Sequence, residues 1–326
     1  MSQQTKCINW GIIGLGSIAH KFAQDLINLN DSKLYAVASR TQEKADAFAL
    51  KYNATKAYAT YEDLANDPNV DAVYIATPHI LHKANTILCL KKGKAVLCEK
   101  PFAMNTEEVE DMIACAKANN TLLMEALWTH FLPHYQFVIN AIKNKIYGRV
   151  LSMEASFGFY RDFDGDARLF KKELGGGVLL DIGIYPIFAA LSTLGIPKSI
   201  KANATFFDNG ADSSNNIMFH YEDVVAAKLK GSLLEEVPCE AIFNCEKATI
   251  KINRQWHAPT TVTVAHDETN ETFDFDYKTL GYNFETSHFN NLIKAGKTES
   301  DIMSFDFSRT LIKLLDEVRN IINLHY

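Results

Sequence analysis

The sequence predicts two domains: an α/β domain with a doubly wound parallel sheet at residues 1–125, and an α+β domain with an open, mostly antiparallel sheet at residues 126–326. Three observations lead to this fold class. A chain of 326 residues exceeds the usual size of one domain. The first part alternates strand-like and helix-like segments, which implies a parallel sheet. After Gly148, alternating apolar and polar residues with short polar turns are typical of an antiparallel sheet.

In the first domain, short apolar runs predict the strands, and helical spacing of apolar residues predicts the segments between them. Asn105-Thr106-Glu107-Glu108 has the pattern of a capping box and predicts a helix that runs to about Asn119. The predicted strands are Cys7–Ile13, Lys33–Ser39, Asp71–Ala76, Ala95–Cys98 and Thr121–Met124. The other predicted helices begin at Ser17 or span Thr41–Tyr52 and Ile80–Lys92.

In the second domain, Val150–Tyr160 alternates between apolar and polar residues, so it predicts a strand with one apolar face. The polar turn Tyr221-Glu222-Asp223 predicts a short connection between two further strands. The other predicted strands are Ser199–Phe207, Asn216–Tyr221, Val224–Leu234, Pro238–Cys245, Ala248–Asn253 and Thr260–Ala265. Helices are predicted at Pro133–Lys143, Ile184–Leu194, Glu285–Lys294 and Ser304–Asn323.

Composition and charge exclude several classes of protein. A net charge of -6 and a pI near 5.9 argue against a partner such as nucleic acid or an anionic membrane, because their binders need a basic face. Met1-Ser2-Gln3-Gln4-Thr5-Lys6 has no apolar signal region, and we expect no apolar run of about 20 residues that spans a bilayer. The six cysteines show no Cys-x-x-Cys spacing, which favours reduced thiols over disulfides or a zinc site. We therefore expect a cytoplasmic protein.

A glycine-rich loop, Gly14-Leu15-Gly16-Ser17-Ile18-Ala19, follows the first predicted strand and opens a helix. A Rossmann domain holds a dinucleotide with this arrangement. Gly14 permits the tight turn, and Gly16 lets the backbone approach the pyrophosphate. Ala19 keeps the helix close to the sheet, while the N-terminus of the helix directs amide groups at the phosphates. The loop therefore predicts a dinucleotide site.

The end of the second predicted strand decides which dinucleotide is bound, because it lies beside the adenosine ribose. NAD enzymes usually place an acidic residue there, whereas this chain has Ser39-Arg40-Thr41. Arg40 can stack on adenine and pair with a 2′-phosphate, to which Ser39 and Thr41 can donate hydrogen bonds. The alternative for Arg40 is a solvated surface position. We predict NADP as the cofactor, with NAD as the alternative.

Several further motifs follow one another along the chain. They are Thr77-Pro78-His79-Ile80-Leu81-His82, Glu99-Lys100-Pro101, Met124-Glu125-Ala126-Leu127-Trp128-Thr129, the run from Leu174 through the triple glycine to Tyr185, and Tyr282-Asn283-Phe284-Glu285. In this order and spacing they resemble the Gfo/Idh/MocA oxidoreductases, and among them the branch of dimeric dihydrodiol dehydrogenase and NADP-dependent D-xylose dehydrogenase. The resemblance implies hydride transfer between C4 of a nicotinamide and a sugar or a cyclic diol.

The resemblance also implies that Lys100 and Tyr185 are catalytic, and their chemistry agrees with this. Lys100 leaves a strand at the carboxyl edge of the sheet, where open α/β sheets place their ligands. Tyrosine has a pKa of about 10 and is a poor base near neutral pH unless an ammonium group stabilises the phenolate. We predict that Lys100 supplies this ammonium and that Tyr185 exchanges the proton of the reacting hydroxyl. The alternatives are a surface lysine and a core tyrosine.

Asp181 has two interpretations that the sequence leaves open. It lies shortly before Pro186, a residue best tolerated in a first helical turn, so it can be the N-cap of a helix that starts near residues 182–185. The resemblance implies instead a catalytic or substrate-binding carboxylate. A second acidic residue that the family often carries one turn further on is absent, because the chain there reads Pro186-Ile187-Phe188-Ala189.

His79 and His82 lie in the loop after a buried predicted strand. Their spacing of three suits a metal, but no carboxylate or cysteine cluster accompanies them, so we predict no metal site. We expect Thr77, His79, His82 and Glu99 to contact the cofactor.

Aromatic and basic residues complete the predicted substrate site. Trp128, Phe157 and Phe284 are expected to form an apolar wall for a substrate ring, with ordinary core positions as the alternative. Trp128 is also expected to contact the cofactor. Arg161 and Arg168 both precede the triple glycine, and the sequence does not choose between them; Arg168 is our assignment to the substrate site.

The open sheet of the second domain predicts a homo-oligomer, either a dimer or a tetramer, because a broad apolar sheet face is costly to leave in water. An active enzyme is expected rather than a non-catalytic dinucleotide sensor, because Lys100 and Tyr185 are both present. A sugar-derivative reductase of the anhydrofructose type is another alternative within the family. The physiological substrate cannot be read from any single residue.

Overall fold

The computed structural model describes residues 7–266 and 269–326, so the prediction made for Met1–Lys6 lies outside the described residues. The chain divides into two compact units. The first unit comprises the chain up to Trp128 together with Lys278–Arg309, and the second comprises Thr129–Tyr277 and Thr310–Tyr326. The chain first passes from one unit to the other after Trp128, close to the predicted boundary after residue 125. We expected two continuous domains, whereas residues 278–309 belong to the first unit.

Regular structure follows most of the predicted segments. The strands in chain order are β1 (Ile8–Ile13), β2 (Ser32–Ala38), β3 (Lys56–Tyr58), β4 (Ala72–Ile75), β5 (Ala95–Glu99), β6 (Leu123–Ala126), β7 (Val150–Gly158), β8 (Ser199–Phe206), β9 (Asp212–His220), β10 (Ala226–Ser232), β11 (Ala241–Cys245), β12 (Thr249–Ile252), β13 (Val262–His266) and β14 (Thr269–Phe273). The sequence prediction lacks β3 and β14, because neither strand has a buried residue and so neither gives an apolar signal.

The α-helices agree with the predicted positions most closely where local signals are strong. They are α1 (Ser17–Leu26), α2 (Gln42–Tyr52), α3 (Tyr61–Asn66), α4 (His82–Leu90), α5 (Thr106–Ala118), α6 (Pro133–Lys143), α7 (Ile184–Leu194), α8 (Tyr282–Lys294) and α9 (Phe305–Ile321). The bounds of α6 and α7 are those predicted. The predicted cap of α5 is confirmed, because the Asn105 side chain accepts a hydrogen bond of 2.9 Å from the Glu108 amide.

The first unit is built on a parallel sheet. Over the described residues this sheet has six strands in the order β3-β2-β1-β4-β5-β6, which is the order of dinucleotide-binding domains. The predicted doubly wound parallel sheet is therefore confirmed. Helix α8 belongs to this unit because it packs on α1: the Trp10 indole donates to Asn290 at 3.1 Å, and Asp25 accepts the amides of Leu280 and Tyr282 at 3.0 and 2.8 Å.

The second unit contains the open sheet that the sequence predicts. Among the described residues it has eight strands in the order β14-β13-β12-β11-β7-β10-β9-β8. The neighbouring strands are antiparallel except for β7 and β10, which are parallel. Helix α7 packs against β7 and β10, where Met153 and Leu229 are buried. This face forms the core of the unit.

The other face of this sheet is more polar than expected. Exposed side chains on β7 and β10 form an ion pair, with Lys228 Nζ 3.0 Å from Glu154 Oε1. Lys251 on β12 lies 3.4 Å from Glu240. Charged side chains of this kind remain hydrated, so this face can be exposed to water at little cost. The exposure of the face is therefore no reason to expect an oligomer. The homo-oligomer stays a prediction that now needs a different physical reason.

One helical run in the second unit, Lys172–Leu194, is long and apolar enough to cross a membrane by length and composition, contrary to our expectation that the chain has no such run. Within the fold, 94% of its apolar window is buried. The core helix of a globular unit has the same properties, since it is apolar on every side. The burial therefore accounts for the composition of this run.

Candidate active site

The glycine loop has the conformation that a dinucleotide site requires. Gly14 has a φ of +87°, and a Cβ added there would lie 2.7 Å from the Ala76 carbonyl, so only glycine fits this turn. Gly16 faces open space and is the N-cap of α1, and no side chain among the described residues caps this helix. Ala19 is fully buried against the sheet. The N-terminal amides of α1 can therefore hold a pyrophosphate.

The predicted selectivity residues lie at the carboxyl end of β2. Ser39 is buried, and its amide donates to the Tyr58 carbonyl at 3.1 Å. Arg40 and Thr41 are exposed, and Thr41 is the N-cap of α2. This placement leaves a guanidinium at the edge of the sheet where a Rossmann domain holds the adenosine ribose.

The loop after β4 is tied to the loop after β5 by His82. This side chain is fully buried, with Nδ1 2.8 Å from the Pro101 carbonyl and Nε2 2.9 Å from the Thr77 carbonyl. Asn85 donates to the Thr77 hydroxyl at 3.1 Å. The ring of His79 lies 5.6 Å from that of His82. These contacts favour a supporting role for His82 over direct contact with the cofactor, which stays a prediction for His79 and Thr77.

A metal site would need several ligating side chains close together. Among residues 7–266 and 269–326, no group of three or more His, Cys, Asp or Glu side chains has an arrangement that could hold a metal ion.

Lys100 lies in a turn that is stabilised by the buried side chain of Glu99. The Glu99 side chain is buried, and its Oε2 accepts the Lys100 amide at 3.1 Å. Its Oε1 accepts a hydrogen bond from the hydroxyl of Tyr74, which is fully buried. The Lys100–Pro101 peptide bond is cis. Because both Glu99 oxygens bind protein groups, Glu99 supports the Lys100 turn, and its predicted cofactor contact stays untested.

Two further carboxyl groups are buried in the first unit. Glu125 accepts the Phe102 amide at 3.0 Å, and burial raises the pKa of Glu125 to about 7. Glu285 is fully buried, and burial together with the charges of Glu99 and Asp25 holds its pKa well above the usual range. Sequence reasoning did not predict that these two acids are buried. A single acidic residue inside an otherwise apolar run, as at Glu125, is the signal that could have found one of them.

The predicted aromatic wall is divided between the two units. Trp128 belongs to the first unit and is 8% exposed, with its ring stacked on Tyr282 at 4.5 Å and an interplanar angle of 7°. Phe284 is also in the first unit, on α8, and is half-buried. Phe157 is in the second unit, on β7.

Asp181 is paired with Arg168, the arginine that we assigned to the substrate site; contact of Arg168 with a substrate stays a prediction. The Arg168 guanidinium donates to both carboxylate oxygens of Asp181, at 2.6 and 3.3 Å. The Asp181 side chain is 7% exposed, while that of Arg168 is 40% exposed. A two-point pair of this kind orients the buried carboxylate.

The interpretation of Asp181 as a helix N-cap is wrong. Asp181 lies inside a π-helical turn, Leu179–Gly183, that continues directly into α7. Pro186 is in the first turn of α7, so the start predicted near residues 182–185 is confirmed. What the sequence did not predict is the π turn that precedes α7 and contains Asp181, a feature that is frequent at functional sites.

A buried aspartate, Asp212, anchors the start of this helical run. Its Oδ2 accepts the Leu179 amide at 2.8 Å, and burial raises its pKa to about 7. Gly177 has a φ of +120°, and a Cβ added there would lie 2.2 Å from Asp212 Oδ1. The triple glycine thus lets the chain pass close to Asp212. The sequence prediction missed Asp212, because it started the strand at Asn216.

Tyr185 lies among aromatic rings of the second unit and is 6% exposed. Its ring centroid is 5.4 Å from that of Phe157 and 5.2 Å from that of His257. Phe157 and His257 stack on each other at 3.9 Å. The structure thus brings the predicted Tyr185 and Phe157 together. It adds His257, which sequence reasoning missed because it lies in a polar loop without a motif.

Two family models together match most of the chain. Residues 8–127 match the Gfo/Idh/MocA oxidoreductase family with an NAD-binding Rossmann fold, and residues 135–251 match the C-terminal domain of the same family.

Curated relatives align from end to end. The chain is 34% identical to trans-1,2-dihydrobenzene-1,2-diol dehydrogenase of Xenopus tropicalis, over 97% of this chain and 98% of the relative. It is 36% identical to the NADP-dependent scyllo-inositol 2-dehydrogenase IolU of Bacillus subtilis, over 98% of each chain.

Solved structures show the same fold. A 3-ketoreductase from Actinomadura kijaniata, solved with NADP and TDP-benzene, has a TM-score of 0.87 at 26% identity, over 97% of this chain and 98% of that one. Variants of that ketoreductase with one lysine changed to alanine, or one tyrosine changed to phenylalanine, have also been solved. An aldose-aldose oxidoreductase from Caulobacter crescentus has a TM-score of 0.89 at 22% identity, over 98% of each chain.

The glycine loop and strand order of the first unit, the open sheet of the second, and matches along the whole chain all lead to one assignment. This chain belongs to the Gfo/Idh/MocA family and is an NAD(P)-dependent oxidoreductase.

Proposed function

We propose that this protein is an NADP-dependent dehydrogenase that oxidises a hydroxyl group of a cyclic diol, an inositol or a sugar, and catalyses the reverse reduction. The main support is the helical run that contains Asp181 and Tyr185 one turn apart. Asp181 is oriented by Arg168, and Tyr185 is enclosed by aromatic rings. A fixed carboxylate can bind a hydroxyl group of the substrate while a neighbouring phenol exchanges a proton with another. The names of the curated relatives agree with such substrates.

In this proposal Tyr185 is the acid/base. During oxidation its phenolate takes the proton of the reacting hydroxyl, and during reduction its phenol returns it. The ammonium of Lys100 stabilises the phenolate, and Asp181 fixes a neighbouring hydroxyl. The nicotinamide, when bound, accepts or donates the hydride.

The choice of NADP rests on Arg40. Its exposed guanidinium at the end of β2 can form a two-point pair with a 2′-phosphate, which NAD lacks. The NADP named for IolU and for the Actinomadura ketoreductase structure supports this choice. A cytoplasmic location and a dimer or tetramer formed through the open sheet remain part of the proposal.

A cofactor and substrate screen on the purified protein tests this function. NADP and NAD are each combined with trans-1,2-dihydrobenzene-1,2-diol, scyllo-inositol, D-xylose and further pentoses and hexoses, and formation of the reduced nicotinamide is followed by absorbance. We expect turnover with NADP and at least one cyclic diol, inositol or sugar. NADP binding without turnover across this panel would overturn the proposal and favour a non-catalytic sensor.

A further inference from the structure

Tyr185 needs a route by which its proton reaches solvent. Its side chain is only 6% exposed, so the phenol does not exchange protons freely with bulk water. An acid/base that takes one proton from each substrate molecule must lose that proton before the next turnover. The groups around the phenol therefore matter for turnover as well as for positioning.

The imidazole of His257 is in ring contact with Tyr185. The two centroids are 5.2 Å apart with the rings tilted by 54°. Phe157 also stacks on the imidazole, at 3.9 Å with an angle of 19°. His257 is half-buried and thus more exposed than Tyr185, although its Nδ1 is buried. The imidazole is therefore a titratable ring in contact with Tyr185 and more accessible to solvent than the phenol.

The loop that carries His257 is held on several sides. The fully buried Trp256 donates its indole N–H to the Ser156 carbonyl at 2.9 Å, and its own carbonyl lies 2.9 Å from His134 Nε2. The Thr129 hydroxyl donates to the His257 carbonyl at 2.6 Å. Such anchoring holds a loop side chain in one place, which is the requirement for a residue with a chemical role.

Packing alone does not explain a histidine at this position, because a phenylalanine would stack on Phe157 equally well. Imidazole differs in that it gains and loses a proton near neutral pH. Titratable groups that meet this segment include Tyr185 on α7, His134 on α6 and Cys239, whose carbonyl accepts the Trp256 amide at 3.3 Å. Burial lowers the pKa of His134 to about 4, so His134 stays neutral at the pH of turnover.

We propose that His257 is the proton-relay residue of Tyr185. During oxidation the substrate O–H bond breaks and its proton binds the phenolate oxygen of Tyr185. The same proton then passes to an imidazole nitrogen of His257, directly or through one water, and the imidazolium releases it to solvent. Reduction follows the same steps in reverse. This inference rests on the acid/base role proposed for Tyr185.

Chemical rescue tests the relay. His257→Phe keeps the ring stack but cannot carry a proton, and we expect kcat to fall by about 10-fold or more. His257→Ala should be equally slow, and added imidazole should raise its kcat in proportion to the imidazole concentration. A merely structural role for the ring would not respond to imidazole. If His257→Ala does not fold, His257→Gln replaces it in the rescue experiment.

A matched control is available in the same unit. His266 on β13 also lies against a tyrosine, Tyr147, with centroids 6.5 Å apart. His266→Ala should keep the wild-type kcat and show no response to imidazole. A kcat for His257→Phe within twofold of wild type, or a folded His257→Ala that imidazole does not rescue, would overturn the relay.

The experiment separates this inference from the proposed function. Tyr185→Phe is measured beside the His257 variants with the same substrate. If Tyr185→Phe turns over normally, the acid/base role of Tyr185 fails and the relay fails with it, while the dehydrogenase activity itself stands. If Tyr185→Phe is inactive while the His257 variants are unaffected, only the relay is wrong.

Discussion

The two units of the chain place their functional groups in different ways. In the first unit, the predicted cofactor residues lie at the ends of β1, β2, β4, β5 and β6 or in the segments that follow them. Because the carboxyl ends of parallel strands share one edge of a sheet, these short segments come together without any long-range choice. In the second unit, Arg168, Asp181, Tyr185, Phe157 and His257 come from a 3-10 turn, a π turn, a helix, a strand and a loop. The candidate cofactor residues could thus be predicted from local backbone geometry, whereas in the second unit Asp181 and Tyr185 were predicted through the family resemblance and His257 was not predicted.

The largest effect on catalysis is expected for a substitution in the second unit. Tyr185→Phe should lower kcat by roughly 100-fold or more, as expected for loss of a general acid/base. NADP binding should not change, because the residues assigned to the cofactor lie in the first unit. Steady-state kinetics and a cofactor titration measure both quantities.

A second buried tyrosine of the same unit is the control for that variant. Tyr135 is fully buried on α6, and its hydroxyl lies 2.7 Å from Ser192 Oγ. Tyr135→Phe should leave kcat near the wild-type value. Equal kcat values for the two variants would remove Tyr185 from the acid/base role.

The next effect concerns Asp181. Asp181→Asn should lower kcat/KM by about 10- to 100-fold, because a hydrogen bond to a charged group contributes about 1.5–3 kcal/mol. The helix content should be unchanged, since Asp181 is not an N-cap. Kinetics and circular dichroism together decide the matter: lower helicity with an unchanged kcat/KM would assign Asp181 a structural role only.

A smaller effect on catalysis is expected in the first unit. Arg40→Ala should raise the KM for NADP by about 10-fold or more, because a charged two-point pair with the 2′-phosphate is lost. The KM for NAD and the kcat at saturating NADP should stay unchanged. The measurement is a cofactor titration at a fixed substrate concentration. Equal changes with both dinucleotides would contradict the role of Arg40 in selectivity.

The last prediction concerns two buried acids, one in each unit, whose substitution should change stability much more than turnover. The folded-state pKa of Glu125 and of Asp212 is about 7, above the ordinary 4.5 and 3.8. Because the pKa is higher in the folded state, the carboxyl group loses its proton at a lower pH in the unfolded chain than in the folded protein. The free energy of unfolding therefore falls as pH rises from about 4 to about 7. Ionisation of each group should lower the free energy of unfolding by a few kcal/mol, on the order of 1.4 kcal/mol per unit of pKa shift.

Glu125→Gln and Asp212→Asn should each flatten this fall in stability without changing the shape of the side chain. Urea midpoints measured at pH 5 and pH 8 provide the comparison. Glu107, an exposed residue in the first turn of α5, supplies the control variant Glu107→Gln. If the Glu125 and Asp212 variants show the same pH dependence as this control, neither acid is held neutral by burial.

Features that local backbone chemistry determines were predicted correctly. The turn at Gly14 needs a positive φ, and the cap at Asn105 needs a short polar side chain, so both are visible in a few adjacent residues. Helix α6 has its predicted bounds because a proline marks its first residue.

Features that depend on distant parts of the chain were not predicted. Asp181 looked like a cap because Pro186 follows it, but it lies inside a π turn and pairs with Arg168. His257 meets Tyr185 only through the packing of the second unit, so no local pattern announces it. The polar face of the open sheet depends on ion pairs between strands that are far apart in sequence, as between Glu154 and Lys228.

The π turn at Leu179–Gly183 has a consequence for how this site can change. Each hydrogen bond of a π turn spans one more residue than in an α-helix, so the turn holds what amounts to a one-residue insertion. Removing that residue would restore regular winding and shift the phase of the side chains on either side by about 100° relative to each other. Asp181 and Tyr185 would then no longer keep their present angular relation. In this helix a single deletion would change the direction of Asp181 relative to Tyr185 while leaving both side chains in place, which no substitution does.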